Sequence, residues 1–433
     1  MAGLGAVGSL SRRGFLGSAL LAGGAGLVPR LAFAAPDGEA LYPAVAKLAH
    51  DYVDSGKLPG LVALIGRGGA QTIIARGTQS LDDPRPAGPD SLYRAYSMTK
   101  PVTGMAAMIL IDAGKMGLDQ PLADILPKYA KMQVQVMPDG SVTDLRPAKT
   151  PITIRHLLTH TAGLGYSIVQ KGPIKDLYVA NGLTPGAVSR YPLPGLPEAK
   201  PLPSLAAFAD KLAEMPLVYE PGTQWSYSVS LDLLGRVIEV VAGQPFDAFV
   251  AERIFGPCGM TSSGFQVAAK DRDRLTTDYA PVNGRLIPID PAARSIYLDP
   301  PAYPYGGAGL VTSPHDYDRF LQMLLGYGLL DGRRVMNESA VRLGTSNLLP
   351  AAVGQTKVWE ALSGFGAGGR VGLGNDAGVF GWSGLAGTVG FVNYRAGATA
   401  GLWVQYIPSS AFPLGPEFRA AVRADLAPAK AAA

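Results

Sequence analysis

Strand-like alternation occurs at both ends of this chain and is nearly absent from its middle, which narrows the folds open to it. Near the N-terminus, Leu61 to Ile65 and Thr72 to Ala75 read as a strand pair turning over Gly66 to Ala70. Near the C-terminus, Val379 to Gly384, Thr388 to Tyr394 and Ala398 to Ile407 alternate like neighbouring antiparallel strands. From Ser97 to about Pro257 the apolar spacing is mostly helical, broken by Pro-rich loops such as Tyr191 to Pro203. Ala40 to Val53, His315 to Leu325 and Pro416 to Leu426 also read as helices. The economical solution is an α+β fold: an antiparallel sheet built from both chain ends and flanked by helices, with a mainly helical lobe inserted. Residues 35–95 and 305–433 would form a discontinuous α/β lobe and 96–304 the helical lobe, with an active site between them.

At 433 residues, 47% hydrophobic and 17% charged, the chain can bury a large core. Residues 1–34 carry Ser11-Arg12-Arg13-Gly14-Phe15-Leu16, a weakly apolar stretch and Ala32-Phe33-Ala34. That order is expected of a twin-arginine export signal cut after Ala34, which makes the mature protein periplasmic or secreted. No other stretch reaches 18 apolar residues, so no stable membrane insertion is expected after cleavage. Without Arg12, Arg13 and Arg30 the balance is 35 Lys and Arg against 34 Asp and Glu, and nothing points to nucleic acid. Cys258, the one cysteine, reads as a small buried apolar residue.

Three segments carry candidate chemistry. In Tyr96-Ser97-Met98-Thr99-Lys100, Ser97 and Lys100 share one face of the first turn of a helix running from Ser97 to about Ala113, with Ser97 placed to cap it. A serine hydroxyl needs a neighbour to take its proton, and burial and a helix N-terminus both favour a neutral amine. By itself, S-x-x-K equally describes a capping serine and a solvated lysine. In Trp225-Ser226-Tyr227-Ser228-Val229, ahead of an amphipathic helix, Tyr227 could exchange the proton or pack as a core aromatic. In Trp382-Ser383-Gly384-Leu385, small residues on a strand would let a substrate approach, with the Leu385 N–H facing an oxyanion beside that of Ser97. A glycine-rich bulge fits this third segment equally well.

Taken in order, the three segments resemble the motifs of the penicillin-recognising serine hydrolases related to class C β-lactamases, and most closely those of family VIII carboxylesterases. Residues Ile152 to Leu164, Leu233 to Glu239, Gly256 to Met260 and Gly306 to Ser313 extend the resemblance over roughly residues 40–425. It implies that Ser97 is acylated, Lys100 activates it and Tyr227 is the partner acid or base, with Trp382, Ser383 and Gly384 as the third motif. Two departures favour esters over β-lactams. Val229 stands where those β-lactamases carry an asparagine, and Trp382 where they carry a lysine. The implied protein is a cofactor-free serine esterase acting on small to medium acyl esters. A β-lactamase, a D-alanyl carboxypeptidase-like amide hydrolase and a non-catalytic β-lactam sensor are the alternatives.

Other patterns lead elsewhere. Gly364 to Gly369 fits G-x-G-x-x-G without the strand and helix a dinucleotide site needs, so these read as loop glycines. His156 and His160 lack the glutamate of H-E-x-x-H and read as structural rather than metal ligands, and His315 as a surface or capping residue. No G-x-S-x-G is present, which argues against a Ser-His-Asp triad.

Overall fold

The computed structural model describes residues 38–186, 188–191, 193, 200–359 and 361–427. The export-signal segment lies outside them. Nine strands form one antiparallel sheet. Three come early, β1 (Gly60–Arg67), β2 (Ala70–Ser80) and β3 (Asp83–Pro86). Six come late: β4 (Thr356–Val358), β5 (Ala361–Phe365), β6 (Arg370–Gly372), β7 (Val379–Ser383), β8 (Val389–Asn393) and β9 (Ala398–Trp403). Their spatial order is β4-β5-β6-β7-β8-β9-β1-β2-β3, so the two chain ends meet where Val62 opposes Trp403 and Arg67 opposes Ala398. The first hairpin turns at Gly68 and Gly69, both at positive φ.

β1 is buried on both faces and accordingly reads as a continuous apolar run. Leu61, Ala63 and Ile65 point to helices α1 (Pro43–Val53) and α6 (Leu414–Leu426). The carboxylate of Asp425 on α6 accepts the Ala44 and Val45 N–H groups at 3.0 Å each, satisfying donors at the start of α1. On the opposite face, Val62 and Trp403 join the core that contains α2 (Thr99–Asp112), α4 (Ser230–Ala242) and α5 (Pro314–Leu325). α3 (Ile154–Leu158) belongs to the same core and opens with Thr153, whose side chain accepts the His156 N–H while the His156 ring accepts the Thr153 N–H.

From Thr99 to Leu110 every side chain of α2 is buried, as expected of a helix that is apolar all round. It starts two residues later than the spacing predicts. Tyr96–Met98 form a separate 3₁₀ turn, and the Ser97 side chain caps nothing because its oxygen is engaged elsewhere. The glycines at Gly364 to Gly369 hold a tight approach to α2. A β-carbon on Gly104 would sit 2.1 Å from Ala367 O, and one on Gly368 2.3 Å from Lys100 O. Bare backbone is therefore required on both sides of that seam.

Candidate active site

The site begins with a strained residue. Tyr96 has φ of 45°, a left-handed conformation that costs a side-chain-bearing residue on the order of 1 kcal/mol or more. It is held on two sides: Ala95 N–H donates to Leu310 O at 2.9 Å, and the Tyr96 hydroxyl donates to Asp278 Oδ2 at 2.8 Å. Asp278 sits on a hairpin, Asp278–Val282 with Arg285–Asp290, where it stands opposite Asp290, the ion-pair partner of the buried Arg94. Burial pushes the Asp278 carboxyl up to about 6, against the opposing pull of Arg94 and the Tyr96 hydroxyl. This bracing turns Ser97 into the interface between α2 and the sheet.

Ser97 Oγ accepts two hydrogen bonds, one from Tyr227 OH at 2.8 Å and one from Lys100 Nζ at 3.2 Å. Lys100 is fully buried and also donates to Gly307 O at 2.7 Å, and its Nζ lies 4.5 Å from the centre of the Tyr227 ring. The Gly307 N–H in turn donates to Asp232 Oδ1 at 2.9 Å. Burial raises the Asp232 carboxyl above its ordinary range, while the Lys100 charge and the Gly307 N–H pull the other way. A β-carbon on Gly307 would lie 2.5 Å from Asp232 Oδ2, so glycine is needed for that carboxylate to reach the backbone.

Tyr227 is placed by the loop after α3. Ser226 N–H donates to His160 O at 3.0 Å, Val229 N–H to Gly165 O at 3.2 Å, and Ser228 N–H to His160 Nδ1 at 3.2 Å. The His160 ring packs 4.7 Å from that of Tyr227. Burial first, and the Lys100 charge second, hold His160 well below the usual imidazole range, so it is neutral and structural. His156 is likewise pushed down to about 4 by burial and serves the start of α3. Burial drives the Cys258 thiol up to about 12, which keeps it protonated.

The facing wall comes from the sheet. Trp382 is buried, and its indole N–H donates to Tyr227 OH at 3.4 Å. Ser383 Oγ accepts the Trp359 indole N–H at 3.2 Å, and the Trp359 and Trp382 rings stack 6.1 Å apart. The turn beginning at Gly384 presses on the segment before Ser97: Thr388 Oγ1 donates to Ala95 O at 3.5 Å, and a β-carbon on Gly384 would lie 2.5 Å from that oxygen. Among the described residues, no protein acceptor takes the N–H of Ser97 or of Leu385. Val229 is buried in the helical core, so it offers the site no polar group.

Ser97, Lys100, Tyr227 and Trp382 thus meet within hydrogen-bonding distance, Ser383 is joined to them through Trp359, and Gly384 and Leu385 lie on the adjoining turn. Sequence reading missed Asp232 and Trp359. Asp232 had a signal, a lone carboxylate among the apolar residues Leu231, Leu233 and Leu234. Trp359 had none, because only the pairing of β4 with β5 folds it back onto Trp382.

A family model described as Beta-lactamase matches residues 45–423. Protein Rv1367c of Mycobacterium tuberculosis (strain ATCC 25618 / H37Rv) is 36% identical over 295 residues, covering 67% of this chain and 68% of that protein. Esterase EstB of Burkholderia gladioli is 33% identical over 288 residues, 62% of this chain and 66% of EstB. The solved structure of EstCE1, described as a hydrolase with promiscuous acyltransferase activity, superposes with a TM-score of 0.70 at 26% identity, covering 89% of this chain and 99% of EstCE1.

Proposed function

The chain belongs to the beta-lactamase family, and from that premise we propose that it is a serine esterase working through an acyl-enzyme on Ser97. The observation that carries this reading is the convergence of Tyr227 OH and Lys100 Nζ on Ser97 Oγ. The member of the Lys100–Tyr227 pair that enters the step without its proton, a neutral amine or a phenolate, takes the Ser97 proton as Oγ attacks the ester carbonyl. The oxyanion is received by the N–H groups of Ser97 and Leu385. Tyr227 returns a proton to the departing alcohol, and the same pair then activates water to free the acid.

The choice of ester over β-lactam rests on what surrounds Tyr227. A neutral indole N–H of Trp382 donates where a lysine would place a cation, and Val229 is an aliphatic core residue. A substrate carboxylate has no ionic partner in either side chain, and a substrate amide has no side-chain partner at Val229. Small to medium acyl esters need neither. The decisive experiment compares purified protein and Ser97→Ala on p-nitrophenyl butyrate and on a chromogenic cephalosporin. Fast ester turnover that disappears in the variant is the expected result, and faster cephalosporin hydrolysis would sink the ester reading.

A second reading is transfer of the acyl group to an alcohol, supported by the acyltransferase activity described for EstCE1. The same acyl-enzyme serves both fates, and rising ester product on addition of a short alcohol would separate them. We also propose that the protein is exported, on the strength of Arg12-Arg13 and Ala32-Phe33-Ala34. N-terminal sequencing of the mature protein should then begin at Ala35, and an intact Met1 on exported protein would refute the cleavage site.

A further inference from the structure

Beside the turn that joins β1 to β2, five arginines from four separate segments line one cavity of about 410 Å³. Arg67 ends β1, Arg370 opens β6, Arg395 follows β8, and Arg419 and Arg423 lie on α6. One carboxylate, Asp376, faces them. It accepts Arg370 Nη2 at 2.7 Å and stands 3.8 Å from Arg423 Nη1. Arg370 is buried and further fixed by donating to Ser363 Oγ at 2.7 Å. Arg67 and Arg395 are exposed and have no ion pair among the described residues. Phe391 and Val422 supply apolar surface to the same cavity.

Arg419 is engaged, its guanidinium 4.5 Å from the centre of the Trp359 ring, and the other four guanidinium groups against one carboxylate leave a local excess of positive charge in a mature chain that is otherwise nearly balanced. Like charges brought together on separate elements repel, and an anion sharing the space would relieve that repulsion. Guanidinium forks match phosphoryl oxygens in a bidentate way, and a cavity of this size suits a compact ligand. We infer that this groove is a binding site for a phosphoryl group carrying two or more negative charges, either on a soluble phosphate compound or in a phospholipid headgroup. The site is separate from Ser97 and does not depend on the esterase reading.

The test uses the full mature chain at about physiological ionic strength, where weak surface attraction is screened. Inorganic pyrophosphate is titrated by calorimetry, and in parallel the protein is sedimented with neutral vesicles and with vesicles containing phosphatidic acid. Saturable one-site binding of pyrophosphate, weakened about tenfold or more by Arg67→Ala/Arg395→Ala and by Arg423→Ala, supports a soluble ligand. Binding only to the acidic vesicles, lost in the same variants, supports a headgroup. These side chains are exposed, and an unchanged melting temperature would show that the variants fold. Equal binding by wild type and both variants, or no binding in either arm, overturns the proposal.

Discussion

The two walls of the candidate active site are built on opposite principles. The helical wall presents Ser97, Lys100 and Tyr227, each tied by hydrogen bonds to buried backbone or to one another. The sheet wall presents Trp382, Trp359 and Phe365, packed ring on ring, with one indole N–H reaching across to Tyr227. A buried polar wall fixes protonation and position, because each unsatisfied group there would cost 1–3 kcal/mol as an order-of-magnitude figure. An aromatic wall fixes shape and dielectric, and it tolerates any ligand that fills it. The contrast predicts that chemistry resides on one side and selectivity on the other.

The sharpest way to break that contrast is at the helical wall. Ser97→Ala should lower kcat/KM for a p-nitrophenyl ester by about 10⁴-fold or more, and Lys100→Ala or Tyr227→Phe by about 10²–10⁴-fold each. The losses should not add, since the three residues act as a unit: Ser97→Ala/Lys100→Ala should be no slower than Ser97→Ala. Steady-state kinetics of the four variants would check this, and additive losses would mean that Lys100 works elsewhere.

Next in size is the seam where the walls join. Gly104→Ala would drive a β-carbon into Ala367 O, backbone against backbone, and should destabilise the protein by about 3 kcal/mol or more. Gly88, with nothing near its ideal β-carbon, is the control, and Gly88→Ala should change stability by under about 1 kcal/mol. Urea denaturation of the two variants gives the comparison, and equal midpoints would show that the Gly366–Gly369 turn yields easily.

How much of this was legible beforehand differs between the walls for a physical reason. Ser97 and Lys100 are one helical turn apart, so spacing alone brings them together. The long strands alternate, so pairing of the chain ends could be read from period. The short strands β4 and β6 are three residues each and carry too little pattern to register, so the wall they build, with Trp359 on it, was invisible. The hairpin under Tyr96 was different. Its turn, Asn283-Gly284, is a strong hairpin signal with both residues at positive φ, and it went unread between the helical middle and the late strands. Gly364 to Gly369 read as loop glycines, but their packing role depends on Lys100 and Gly104, far earlier in the chain, which no local pattern encodes.

Asp278 gives a test of the support beneath the helical wall. Its folded pKa, about 6, is raised above the ordinary 3.8, so the folded protein holds a proton that the unfolded chain releases earlier. Stability from this group is complete below about pH 4 and is lost as pH rises to about 6, on the order of 2–3 kcal/mol in all. Asp278→Asn cannot titrate. Relative to wild type it should therefore be least favourable near pH 4 and recover by that amount above about pH 6. Denaturation at the two pH values measures the difference, and a constant gap would place the proton elsewhere in the Arg94–Tyr96–Asp278 cluster.

The smallest expected effect decides what the aromatic wall does. Trp382→Phe keeps a ring beside Trp359 and Phe365 but removes the N–H that reaches Tyr227 OH at 3.4 Å. That contact is long and the donor neutral, so its loss should cost about 1 kcal/mol, roughly fivefold in kcat. If the wall only shapes the site, KM should hold while the modest fall in kcat is the same for short and longer acyl esters. Trp382→Ala, by contrast, opens space next to Tyr227 and should change the ranking of acyl chains while altering kcat for the shortest ester by a similar small factor. A Trp382→Phe loss as large as that of Tyr227→Phe would erase the division between the walls, because it would make the indole N–H part of the proton-handling set.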